Sequence, residues 1–92
     1  MMIRQPVINT LNRIGIPWEK LSKIEGKVSV SNRFSGESCE TTPLIAFCIA
    51  EVYRISNEYE SIGGATVKLS DFDRLRHYIL EVDSNAYMVT ID

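Results

Sequence analysis

Asp73 and His77 stand four residues apart in Asp71-Phe72-Asp73-Arg74-Leu75-Arg76-His77. On a helix that spacing stacks a carboxylate on an imidazole, so that the acid can orient a general base. His77 is the only histidine of the chain. A small hydrolase built on this pair needs a nucleophile, and neither a cysteine nor a serine is placed beside it by local sequence. Taken alone, the pair reads as a solvated helical contact.

Cys39, Cys48 and His77 are three soft metal ligands, but no Cys-x-x-Cys or His-x₃-His knuckle holds two of them together and no fourth ligand is specified. Cys48, within Leu44-Ile45-Ala46-Phe47-Cys48-Ile49-Ala50, reads as a small core residue. The carboxylate pairs Asp71/Asp73 and Glu58/Glu60 lie two residues apart, which on a helix turns them about 200° from each other and prevents a shared proton or metal. All four read as solvated charges, Asp71 and Asp73 at a helix start that the macrodipole favours. Gly63-Gly64 lacks the Gly-Lys-Ser/Thr of a phosphate loop and reads as a turn. No catalytic, cofactor or metal site is indicated.

The densest polar motif is Asn32-Arg33-Phe34-Ser35-Gly36-Glu37, followed by Glu40 and Thr42-Pro43-Leu44. From Lys27 the apolar period is two. Val28, Val30 and Phe34 alternate with Ser29, Ser31 and Arg33, and Ser35-Gly36 suits a two-residue hairpin turn. That register sets Phe34 opposite Glu37, Arg33 opposite Ser38 and Asn32 opposite Cys39, with Arg33 diagonal to Glu40 on the outer face. Val28, Val30, Phe34 and Cys39 then face the core. Asn32 joins them there, where its amide must hydrogen-bond a neighbour such as the start of the next helix.

Helices must carry the rest. Pro6 suits a first helical position, Val7, Ile8, Leu11 and Ile14 share one face, and Gly15 suits the residue after a helix. Pro17 opens a second short turn with Trp18, Leu21 and Ile24 on one side, closed by Gly26. Thr42 as N-cap and Pro43 at the first position start a long helix running to about Glu60 and stopped by Gly63-Gly64. Leu44, Ile45, Cys48, Ile49, Val52, Ile55 and Tyr59 form its broad apolar face, which makes it the central helix. Phe47 falls instead among Glu51, Arg54 and Glu58. Thr66 to Leu69 alternates as a short strand would, widening the hairpin to three strands, and Ser70 with Asp73 has capping-box spacing. The helix that follows buries Phe72, Leu75, Tyr78, Ile79 and Val82, with Leu80 pointing away. The tail from Asp83 fits either a strand of Tyr87, Val89 and Ile91 or a last helical turn capped by Asp83. The fold class is α+β: a hairpin packed on a central helix, with short N-terminal helices and one or two C-terminal helices.

With 92 residues, 45% hydrophobic and 24% charged, the whole of 1–92 is expected to form one domain. Its longest apolar run, Leu44 to Ala50, is far short of the roughly 20 residues of a membrane span. The start has no apolar signal region, so a cytoplasmic protein with reduced thiols is expected. The net charge of −2 hides an asymmetry. Residues 1–33 carry Arg4, Arg13, Lys20, Lys23, Lys27 and Arg33 against Glu19 and Glu25, while the remainder is acidic. The two parts should attract each other, within a chain or across a dimer. The basic third with Trp18 also supports a nucleic-acid-binding alternative. Against it, about ten residues separate the two long helices where a helix-turn-helix needs three or four, and the second begins with acids that repel phosphate.

Asn32-Arg33-Phe34-Ser35-Gly36-Glu37, then Thr42-Pro43-Leu44, and a closing Ala86-Tyr87-Met88-Val89 with Asp92 resemble a group of small tailed-phage proteins, many of them from marine phages. The likeness spans roughly residues 31–92, judged by motif order. Members of that group often carry Asn-Pro where this chain has Asp83-Ser84, which favours a capped terminal helix. The resemblance implies a phage protein in a bacterial cytoplasm and assigns no site. The expected function is a small non-enzymatic interaction module, plausible as a homodimer, that presents Phe47 and Leu80 with the hairpin residues Asn32, Arg33 and Glu40 to a protein partner.

Overall fold

The computed structural model describes residues 3–62 and 67–91. Their order is α1 (Gln5–Ile14), α2 (Trp18–Ser22), β1 (Val28–Ser31), β2 (Ser38–Thr41), α3 (Pro43–Ile62), α4 (Leu69–Val82) and α5 (Ser84–Thr90). The α+β class expected from the sequence is present, and the described residues are compact, with a Cα radius of gyration of 12.7 Å. No helix among the described residues is long and apolar enough to cross a membrane.

The helix ends follow their local signals. Gly15 stands after α1 with φ 95°, a left-handed conformation open to glycine, and its N–H donates to the Leu11 carbonyl. Thr42 caps α3, its carbonyl accepting from Ala46 N at 2.9 Å. Asp83 caps α5 by accepting from Ala86 N at 3.1 Å, which settles the tail as a helix. The other carboxylate oxygen of Asp83 accepts from the Thr41 hydroxyl at 2.7 Å, so one side chain both starts α5 and ties it to β2.

The apolar stripes meet where α3 and α4 cross. Leu44, Ile45, Cys48, Ile49, Val52 and Ile55 of α3 are buried with Leu75, Tyr78 and Ile79 of α4, Val7 and Leu11 of α1, and Ala86 of α5. Helix α4 packs on α1, α3 and α5, and the hairpin lies against α5 and, through β1, against α3. Apart from the hairpin, two expected core residues lie outside the core: Val82 is 38% and Ile24 53% exposed.

Four local expectations are corrected. The hairpin pairs Ser31 with Ser38, Val30 with Cys39, Ser29 with Glu40 and Val28 with Thr41, two residues away from the two-residue-turn register. An even shift keeps each strand's faces, so Val30 and Cys39 remain half-buried, but residues 32–37 become a loop and Phe34 leaves the core. Val28, at the open end of a two-stranded sheet, is also exposed. No third strand forms among residues 67–69, because Leu69 already opens α4. Ser70 is not the cap of α4 either; Lys68 is, without a side-chain bond. Gly63, Gly64 and Thr66, the expected helix stop and strand start, lie outside the described residues, as does Asp92.

The fourth correction concerns Asp71, expected in solvent and found 5% exposed. It accepts from the Thr10 hydroxyl at 2.9 Å and takes two bonds from Arg13, from Nε at 3.0 Å and Nη2 at 2.6 Å. The bidentate guanidinium, helped by the Thr10 hydroxyl, holds the Asp71 carboxyl below its ordinary value against the opposing effect of burial. With Arg4 paired to Glu81, α1 is bound to α4 by opposite charge. The attraction expected between the basic third and the acidic remainder therefore operates within the chain.

Candidate functional site

The hairpin loop is built around Asn32. Its side-chain oxygen accepts from Phe34 N at 2.7 Å and Ser35 N at 3.0 Å, and its carbonyl accepts from Gly36 N at 2.9 Å. Its amide donates to the Val89 carbonyl of α5 at 3.1 Å. The first two bonds are the local turn that asparagine favours, and the last anchors the loop to the helix behind it. Asn32 thus has the hydrogen bond expected of it, to α5 rather than to the start of α3. Gly36 closes the loop with φ 78°.

Fixing the loop aims the two residues at its tip. Phe34 is 83% exposed. The Arg33 guanidinium lies 4.9 Å from the centre of the Phe34 ring and 5.0 Å from that of Tyr53 on α3, and Nη2 donates to Asn57 Oδ1 at 3.0 Å. Tyr53 in turn donates to the Thr90 carbonyl of α5. Burial pushes the Tyr53 phenol up, outweighing the Arg33 charge, which keeps it a neutral donor.

Between this loop, α3, α4 and the end of α5 lies a cleft of about 410 Å³. Its far wall carries Phe72 and Arg76 of α4. Arg76 has its guanidinium 5.7 Å from the Phe72 ring centre and donates to the Tyr87 hydroxyl at 3.2 Å. Its closest carboxylate, Asp73, is 3.7 Å away, beyond hydrogen-bond length. Two arginines therefore face one cleft, Arg33 set by two rings and an amide and Arg76 by a ring, a hydroxyl and the longer contact with Asp73, and no carboxylate is among the described residues that line it. Guanidiniums so placed have the geometry that bonds oxyanions.

The other expected residues are dispersed. Glu40 pairs across the ladder with Ser29 and not with Arg33, because the shifted register carries Arg33 into the loop. Phe47 and Leu80 are 36% and 38% exposed, far more covered than Phe34. His77 lies with Arg4, Asp73 and Glu81 along a separate groove between α1 and α4. It has no hydrogen-bond partner among the described residues, and Asp73 turns toward Arg76 instead. No group of three or more potential metal ligands occurs among the described residues. Neither thiol is activated: burial pushes Cys48 up to about 12, with Glu51 adding to it, and burial with the Asp83 charge raises Cys39.

Tyr53, Phe72, Arg76 and Tyr87 were not among the site residues expected from sequence. Phe72 and Arg76 carry a readable signal, an aromatic and an arginine at helical i, i+4 spacing. Tyr53 carries none, because only the tertiary fold brings it under Arg33.

No family model matches the chain, and no curated protein or solved structure is detectably similar to it.

Proposed function

We propose that this protein is a small interaction module that associates through its hairpin loop, with Phe34 as the anchor and a second copy of the chain as the first partner to test. The observation that supports this reading is the 83% exposure of Phe34 on a loop that Asn32 holds by its side chain and carbonyl. A large ring in solvent is costly for an isolated domain, whereas one already ordered loses little freedom when it is buried in a partner. Arg33, Phe47 and Leu80 extend the surface that a partner would cover. Arginine beside an aromatic ring is the composition of interface centres that carry most of the binding energy. The motif likeness to tailed-phage proteins supports reading this module as one that works in a bacterial cytoplasm.

Sedimentation velocity over a range of concentrations tests the reading. The expected result is reversible association in the parent, lost in Phe34→Asp and weakened in Phe47→Asp. A parent that sediments as a monomer at every concentration, indistinguishable from Phe34→Asp, would exclude self-association through this loop.

A further inference from the structure

We propose that the cleft behind the hairpin loop is a binding site for a small phosphate monoester carried on an aromatic body. The first support is the use of charge. Arg4, Arg13 and Arg54 each close on a carboxylate of this chain. Arg33 closes on none among the described residues, being held by Asn57 Oδ1 and two rings. Arg76, on the same cleft, is held by the Tyr87 hydroxyl and the Phe72 ring, and the exposed Asp73 carboxylate reaches it only at 3.7 Å. Positive charge set in place mainly by neutral groups in a chain of net charge −2 is available to an anion from outside. Two guanidiniums match the near-double charge of a phosphate monoester better than the single charge of a carboxylate.

The second support is the geometry of Arg33. With rings at 4.9 and 5.0 Å and one amino group given to Asn57, the rest of its planar fork can bond two oxygens of one phosphate. The third is the apolar wall. Phe34 lies against Arg33 yet keeps 83% of its surface free, enough to stack a ligand ring, and Val52 and Ile91 also line the cleft. Its volume of about 410 Å³ suits a ligand of that size, within the roughly 300–1,000 Å³ of small-molecule sites. The proposal does not rest on self-association, since a monomer suffices for it, but a partner that buries Phe34 would compete with the ligand.

The test is titration of the ¹⁵N-labelled full chain with phenyl phosphate, inorganic phosphate and benzoate, followed by two-dimensional amide spectra. Phenyl phosphate is expected to give saturable shifts at residues 32–36 and 72–76, with inorganic phosphate and benzoate each weaker by about ten-fold or more, which is roughly the worth of one charge-assisted contact or one stacked ring. Arg33→Gln and Arg76→Gln should each weaken phenyl phosphate by a similar factor, and Arg74→Gln, on the other groove, should not. Arg33→Lys separates fork from charge, and retention of the parent's amide spectrum shows that each variant is folded. Absence of saturable shifts, or equal binding by the folded arginine variants, would overturn the site. Benzoate as tight as phenyl phosphate would overturn the phosphate assignment, and inorganic phosphate as tight would overturn the aromatic one.

Discussion

The two ends of helix α4's surroundings use arginine in opposite ways. Where α1 crosses α4, Arg13 grips Asp71 with two bonds and Thr10 completes the set; each of these three groups is answered within the chain. At the hairpin loop, Arg33 and Arg76 are oriented by rings, an amide and a phenol; no carboxylate among the described residues pairs with Arg33, and Asp73 reaches Arg76 only at 3.7 Å. An arginine neutralised by its own fold is a fastener. One that is positioned without being neutralised keeps its binding capacity for another molecule.

The largest effect should come from the element common to both regions. Leu75 is fully buried on α4, and Leu75→Ala is expected to lower the unfolding free energy by about 2–5 kcal/mol through lost burial and a cavity. Urea denaturation measures it, and a loss under 1 kcal/mol would mean that α4 does not organise the two sides.

Asp71→Ala separates the fastener from the cleft. It leaves the Thr10 hydroxyl without its acceptor and should cost about 1–3 kcal/mol in the same assay. The site also has a pH signature. Because Asp71 is held below its ordinary 3.8, its contribution is complete above that value and is lost as pH falls through the depressed one. The stability of the parent should therefore decline below about pH 4, and Asp71→Asn should flatten that decline. An unchanged acid limb in the variant would refute the assignment.

On the other side, Asn32→Ala removes the turn bonds and the tie to Val89, with an expected cost of about 1–2 kcal/mol. Amide hydrogen exchange should show faster opening at 33–36 and in α5 but not in α1; uniform acceleration would mean that the loop is not a separate unit. The smallest effect on stability belongs to Phe34→Ala, within about 0.5 kcal/mol, although the same change should abolish self-association. A large loss of stability would show that the ring serves the fold.

Much of the architecture was legible because it rests on short-range rules. The α3 stripe from Leu44 to Ile55 declares its period, Pro6, Gly15, Thr42 and Pro43 mark helix ends, and Asp83 is a competent cap for α5. The hairpin faces were also readable, since side-chain alternation survives a shift of two residues. Its register was not, because Asn32 can form its turn either within a strand or at the start of a loop, and only the bond to Val89 selects the loop.

Asp71 and Arg33 mark the boundary most sharply. By spacing, Asp71 is a solvated helix-start acid and Arg33 an outer-face strand residue. Each meets its real partners across long stretches of chain, Thr10 and Arg13 for the one, Tyr53 and Asn57 for the other. The sequence by itself determined that α1, α3 and α4 are helices, where most of them end and which stripes are apolar, because those depend on residues within a turn or two of one another, while the tail stayed open between helix and strand. Tertiary structure alone decided which charges are answered inside the chain and which face an open cleft, because electrostatic and ring contacts depend on distance through space and not along the chain.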